Sequence, residues 1–147
     1  LADDYCVTEG PGVLSQMVSL YQRFGCSVVA IEEVPREETY RYGVIAGEEE
    51  EPGIIRISDM VEKPAPEDAP SNLAIIGRYV LTPEIFDILD DTAPGKNGEI
   101  QITDALLTQA RRGNVIGYKF QGTRFDCGSV GGFIDATNYT FAKMHSK

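Results

Sequence analysis

Apolar positions along the chain fall into blocks with two different periods. Over residues 13–24 they recur at Val13, Met17, Leu20, Tyr21 and Phe24, the spacing of one helical face, and Gly25 is placed to stop that helix. Residues 26–34 carry the continuous apolar run Val28, Val29, Ala30, Ile31 before Pro35, which predicts a buried strand. Residues 42–46 read as a second strand, and residues 54–61, with Ile55 and Ile57 alternating, as its hairpin partner. The stretch 47–53 between them is predicted to be a turn. Its run Glu48 to Glu51 reads as a solvated surface rather than a cation site.

The second half repeats the alternation. Three prolines make 64–70 a loop, and 73–81 is a strongly apolar strand. Thr82-Pro83-Glu84 is a helix start, with Thr82 as N-cap and Pro83 in the first helical position, running through Ile85, Phe86 and Leu89 to about Asp91. The glycine-rich stretch 95–98 precedes a helix carrying Ile102, Leu106, Leu107 and Ala110, with Arg111 and Arg112 in its last turn. Residues 115–120 read as a strand, 124–126 as a short extended piece, and 130–144 as a final helix. Strands alternating with helices imply an α/β sandwich with a mixed sheet. In open sheets of that kind ligands sit beyond the carboxyl ends of strands. Asp3, after Leu1-Ala2, and Asp126, after Phe125, occupy such ends.

Composition narrows the classes. The 147 residues, 42% hydrophobic, suffice for one compact domain and are too few for two. The chain opens Leu-Ala-Asp-Asp-Tyr with neither methionine nor leader, so it is expected to be a stretch from within a longer chain. Thirteen Lys and Arg against 23 Asp and Glu leave a formal charge of −10, which argues against nucleic acid and anionic membrane as partners. A chain this acidic can handle phosphates only locally, through a metal ion or a placed lysine. No apolar run approaches the roughly 20 residues of a membrane span. Cys6, Cys26 and Cys127, without CxxC spacing, form neither a disulfide framework nor a zinc site, and a reducing cytoplasmic setting is expected.

The candidate chemistry is sparse. Paired carboxylates such as Asp3 and Asp126 suit Mg²⁺, a hard cation that takes oxygen ligands and keeps several waters. An aspartate after a strand is more commonly a cap or turn residue, and the residues alone favour that reading. In Val61-Glu62-Lys63-Pro64, proline biases Lys63 to extended geometry and holds its ammonium as a point charge for a phosphate. Glu62 then points the opposite way if the strand continues, or accepts hydroxyl hydrogen bonds if the chain twists. A plain exposed Glu-Lys pair is equally compatible. Gly43 serves either close ligand approach or a bulge. The run Gly128-Ser129-Val130-Gly131-Gly132 reads more readily as a tight turn than as a ligand cradle. His145 is a lone terminal histidine and Cys127 a small buried residue. No nucleophile–base pair is present.

Taken together, several segments resemble one family. Leu1-Ala2-Asp3-Asp4, Tyr42-Gly43-Val44-Ile45, Val61-Glu62-Lys63-Pro64, the stretch 71–81, the stretch 98–105 (Gly-Glu-Ile-Gln-Ile-Thr-Asp-Ala) and Phe125-Asp126-Cys127-Gly128-Ser129 occur in that order in bacterial UTP–glucose-1-phosphate uridylyltransferases. The resemblance covers nearly the whole chain. It implies a nucleotide-diphospho-sugar transferase fold, a Rossmann-like mixed β-sheet flanked by helices, here incomplete. It implies formation of UDP-glucose and pyrophosphate from UTP and glucose 1-phosphate with Mg²⁺; separately, the exposed edges of a cut central sheet make self-association into a homo-oligomer an expectation. By motif position, Asp3 and Asp126 resemble the metal-binding aspartates, Lys63 the lysine that grips the sugar phosphate, and Glu62 the acid that binds sugar hydroxyls. Gly43 and the backbone around Ile75 would line the sugar pocket. The sugar phosphate would attack the α-phosphorus of UTP in line, with catalysis by positioning and electrostatics. Two departures stand out. Val130 and Gly131 replace a lysine that many relatives carry, and the family's amino-terminal, nucleotide-reading half has no counterpart. Residues 1–147 therefore resemble the carboxyl-terminal sugar-phosphate- and metal-binding part, expected to be inactive alone. A thymidylyl- or adenylyltransferase, and a non-catalytic binding or assembly module, are the competing expectations.

Overall fold

The computed structural model describes residues 2–95 and 98–145, so Leu1 of the opening motif and Lys96 and Asn97 of the glycine-rich stretch lie outside the described residues. Its elements follow the predicted alternation: β1 (Asp4–Val7), α1 (Val13–Phe24), β2 (Ser27–Glu33), a 3-10 helix (Arg36–Arg41), β3 (Gly43–Glu51), β4 (Ile54–Glu62), β5 (Leu73–Val80), α2 (Glu84–Asp91), α3 (Ile102–Ala110), β6 (Val115–Lys119), β7 (Thr123–Asp126) and α4 (Val130–His145).

Helix α1 ends where predicted, at Gly25 in the left-handed conformation, whose N–H reaches the Tyr21 carbonyl. Strand β2 runs between β5, to which it is antiparallel, and β6, to which it is parallel. Its side chains alternate between two cores. Val28 and Ala30 pack with Val13 and Met17 of α1, while Val29 and Ile31 pack with Ile45, Ile57, Ile75 and Leu106 on the other face. That alternation is why the strand reads as an unbroken apolar run: both faces are covered.

The sheet is closed rather than open. Strand β3 pairs with β5 at Val44 and Ile45, and β4 pairs with β6 at Ile54 to Arg56, so the long β3–β4 hairpin arches over one face and completes a five-stranded ring. The arch bends at an irregularity between Ala46 and Gly47. A Cβ at Gly47 would lie 2.1 Å from the Arg56 carbonyl oxygen, so only glycine permits the approach. The predicted turn over 47–53 is accordingly corrected: β3 continues through Glu51. The glutamates stay at the surface but are used. Glu50 pairs with Arg56, Glu51 with Arg23, and Glu49 accepts the Gly53 N–H.

Two further corrections concern local signals. Thr82 is not a side-chain cap; its hydroxyl accepts a hydrogen bond from the Gln109 amide at 2.6 Å, tying the end of β5 to α3. Strand β1 follows Asp3 instead of preceding it. Helix α4 packs on β7 and leaves Phe133, Phe141 and Met144 exposed. Among the described residues no helix is long and apolar enough to cross a membrane.

Candidate functional site

The β1–β7 ribbon builds one wall of the site. Asp4 and Asp126 are register partners, and the Cys127 N–H donates to the Asp3 carbonyl at 2.8 Å, so residue 3 lies beside the end of β7. The chain then turns at Gly128. A Cβ there would lie 2.9 Å from Asp3 Oδ2 and 3.1 Å from Asp126 Oδ1, which places the two carboxylates about a common empty space. The Gly128 N–H itself donates to Asp126 Oδ1 at 3.1 Å.

The two neighbouring aspartates of the opening motif part ways. Asp4 is 5% exposed and is held by Arg124, whose side chain is 7% exposed and also reaches Glu32 at 3.3 Å. Burial pushes the Asp4 carboxyl up, against the pull of Arg124. For Arg124, burial works to lower the pKa, but bonds to Asp4 and Tyr42 prevail and hold the guanidinium charged well above its ordinary value. Asp3 is exposed, and its carboxylate makes no hydrogen bond or ion pair among the described residues.

The base of the β3–β4 hairpin supplies the opposite wall. Gly43 is the register partner of Glu62, and the Lys63 N–H closes the pair on the Tyr42 carbonyl at 2.9 Å. Lys63 has φ +47, the one non-glycine residue with positive φ among those described. The extended geometry expected before Pro64 is thus overturned: the hairpin bond forces the left-handed region, a costly conformation that concentrates at functional sites. As a result Glu62 and Lys63 face the same cavity instead of opposite sides of a strand, with Nζ 3.9 Å from Glu62 Oε1. The buried Thr103 hydroxyl, at the start of α3, donates to Glu62 Oε2 at 2.5 Å. A Cβ on Gly43 would stand 3.1 Å from that same oxygen and 3.4 Å from Ile75 Cδ1, so Gly43 leaves the floor of the pocket open.

All six residues singled out from the sequence, Asp3, Gly43, Glu62, Lys63, Ile75 and Asp126, line one cavity of about 430 Å³. Sequence reasoning missed Arg41, Tyr42, Tyr79, Gln101, Thr103 and Arg124, which line it too. Arg41 and Tyr42 immediately precede Gly43, and Gln101 and Thr103 lie in a motif already noted, so proximity to motif residues was the available signal. Arg41 Nη2 pairs with Asp126 Oδ2 at 2.5 Å, and the Tyr42 hydroxyl donates to the same oxygen at 3.4 Å. Tyr79 is pushed up to about 12, chiefly by burial and then by Glu62 and Asp4.

Four carboxylates (Asp3, Asp4, Glu62, Asp126) face three cations (Arg41, Lys63, Arg124) in this cavity. The wall is one charge negative, and a divalent cation would reverse its sign. The donor set fits Mg²⁺. No group of three His, Cys, Asp or Glu converges among the described residues, but two carboxylates about an open space suit an ion that keeps waters and takes substrate phosphates as its remaining ligands.

Residues 1–143 match the Nucleotidyl transferase family. A UTP–glucose-1-phosphate uridylyltransferase of Pseudomonas aeruginosa is 65% identical over 146 residues, 99% of this chain and 52% of that protein. The crystal structure of a UDP-glucose pyrophosphorylase complexed with UDP-glucose superimposes with a TM-score of 0.93 at 62% identity, over 97% of this chain and 55% of that one. A UTP-bound enzyme of the same type from Acinetobacter baumannii gives a TM-score of 0.81 at 33% identity, covering this chain completely and 50% of the other. The chain spans about half the length of the curated relatives it matches.

Proposed function

Given that the chain belongs to the nucleotidyl transferase family, we propose that it forms the sugar-phosphate- and metal-binding part of a UTP–glucose-1-phosphate uridylyltransferase. One observation carries the reading: the six residues matched to family motifs line a single cavity, with Asp3 and Asp126 together about Gly128 and Glu62 beside Lys63. Base recognition is assigned to sequence that the relatives have beyond the stretch matched here.

In this reading glucose 1-phosphate lies along the floor opened by Gly43 and Ile75. Glu62, oriented by the Thr103 hydroxyl, accepts hydrogen bonds from sugar hydroxyls. Lys63 meets the phosphate as a point charge, set there by its strained backbone. Asp3 and Asp126 would hold Mg²⁺, whose chemistry is to neutralise charge on phosphate oxygens. The protein's own contribution is alignment: it fixes the sugar phosphate as the attacking group for the α-phosphorus of UTP, with pyrophosphate leaving. No side chain forms a covalent intermediate. The reading extends to a cytoplasmic setting, in keeping with three free cysteines, and to self-association, for which exposed Phe133, Phe141 and Met144 on α4 offer a surface.

The test is pyrophosphate release from UTP and glucose 1-phosphate by the full-length protein. Lys63→Ala and Asp126→Asn are each expected to lower kcat/KM by at least about a hundredfold, the loss typical of removing one charged group aimed at the reacting phosphates. Unchanged rates in both would sink the site assignment. Residues 1–147 alone are expected to give no turnover.

A further inference from the structure

Arg41 differs from Arg124, the other guanidinium lining the cavity, in being exposed while it is shared between two carboxylates. Its Nη1 donates to Glu38 at 3.1 Å and its Nη2 to Asp126 Oδ2 at 2.5 Å, while the guanidinium lies 5.3 Å from the Tyr42 ring centroid. Arg124 is buried among Asp4, Glu32 and Tyr42, and its Nη2 lies 4.0 Å from Asp126 Oδ2. Arg41 is 36% exposed at the end of the 3-10 helix, with an aromatic face to slide over.

The carboxylate it holds is divided between two tasks. Oδ1 of Asp126 faces the space beside Gly128 and Asp3, and Oδ2 faces Arg41. A guanidinium on Oδ2 withdraws negative charge from the oxygen that would meet a cation. Of the two aspartates, only Asp126 is compensated in this way; the Asp3 carboxylate is without a partner among the described residues.

We propose that Arg41 couples the two occupants of the cavity. Without a phosphate it neutralises Asp126 and keeps the affinity for a lone cation low. A phosphate monoester entering the cavity offers the planar guanidinium a bidentate partner. Arg41 passes to the phosphoryl oxygens, Asp126 Oδ2 loses its nearest cation and keeps the Tyr42 hydroxyl at 3.4 Å and Arg124 at 4.0 Å, and the cation binds more tightly. By linkage the cation raises the affinity for the phosphate by the same factor. The proposal rests on the reading of Asp126 as a metal-binding residue, and its test separates the two.

The measurement is Mn²⁺ binding by the full-length protein, read from the free-ion electron paramagnetic resonance signal, without ligand, with glucose 1-phosphate, and with glucose as a control lacking phosphate. In the unaltered chain, glucose 1-phosphate should tighten Mn²⁺ binding by about tenfold, the order of one charge-assisted hydrogen bond gained or lost, and glucose should leave it unchanged. Arg41→Met should bind Mn²⁺ alone about tenfold more tightly and lose most of the effect of glucose 1-phosphate. Arg41→Lys, which keeps the charge without the fork, should lie between the two. Equal coupling in Arg41→Met and the unaltered chain, or Mn²⁺ affinity unchanged in Arg41→Met, overturns the proposal. Asp126→Asn tests the underlying reading separately: if it binds Mn²⁺ as the unaltered chain does, the metal assignment fails whatever Arg41 does. Absence of Mn²⁺ binding in the unaltered chain under all three conditions overturns both.

Discussion

Gly128 decides whether Asp3 and Asp126 can share an ion. Its replacement by alanine adds a single carbon, 2.9 Å from Asp3 Oδ2 and 3.1 Å from Asp126 Oδ1, with its third-nearest neighbour at 3.7 Å. A carbon–oxygen contact settles at about 3.3 Å or more, so each carboxylate must retreat by a few tenths of an ångström. Asp3 and Asp126 would hold an ion through the same two oxygens that the methyl displaces. Nothing else resists the change. The added carbon meets only carboxylate ends, Gly128 is exposed, and its φ is not in the left-handed region. The expected outcome for Gly128→Ala is therefore a split between function and fold. Mn²⁺ affinity should fall ten- to a hundredfold, about 1.4–2.7 kcal/mol, while unfolding stability stays within about 0.5 kcal/mol. Metal titration followed by electron paramagnetic resonance gives the first number and urea unfolding the second. Unchanged Mn²⁺ affinity would refute the placement of the cation between the two aspartates. A loss of several kcal/mol in stability would refute the claim that the methyl meets only side-chain ends.

Three other outcomes follow from the same geometry. Lys63→Gly removes the ammonium but relieves the left-handed backbone at φ +47, so stability should be retained or rise by up to about 1 kcal/mol while calorimetry shows loss of glucose 1-phosphate affinity; Lys63→Ala should lose affinity without that relief. Tyr79, pushed up to about 12 by burial, stays protonated in the folded chain while the unfolded chain ionises near 10. Between those values the folded state binds more protons, so stability falls as pH rises and is unaffected below 10; a Tyr79→Phe variant should lose that slope in denaturant melts. Gly47→Ala drives a methyl to 2.1 Å from the Arg56 carbonyl oxygen, and should lower unfolding stability by at least about 3 kcal/mol through disruption of the β3–β4 arch; a neutral result would mean the hairpin bends elsewhere.

Much of the architecture is written in local periodicity. The α1 face at Val13, Met17, Leu20, Tyr21 and Phe24 packs as read, and the buried run in β2 and the β3–β4 pairing follow the pattern of apolar residues. Such signals survive because they depend on neighbours three or four positions apart in a helix and two apart in a strand. The candidate residues, too, are legible: strand ends point to Asp3 and Asp126, the proline after Lys63 to the Glu62–Lys63 pair, a glycine within a strand to Gly43, and motif order adds Ile75.

What the chain could not disclose locally is everything set by contacts between distant segments. Closure of the sheet depends on β4 meeting β6 some sixty residues later, which no window of sequence contains. The conformation of Lys63 contradicts the bias of the following proline because a hydrogen bond to Tyr42, across the hairpin, outweighs it. Asp3 and Asp4 are chemically identical neighbours, yet the register of β1 with β7 turns one inward to Arg124 and leaves the other open beside Gly128. The sequence determined which groups the site has at its disposal. Tertiary structure decided which carboxylates are already neutralised and which remain free for a ligand, because charge compensation is a matter of ångströms between side chains and not of position along the chain.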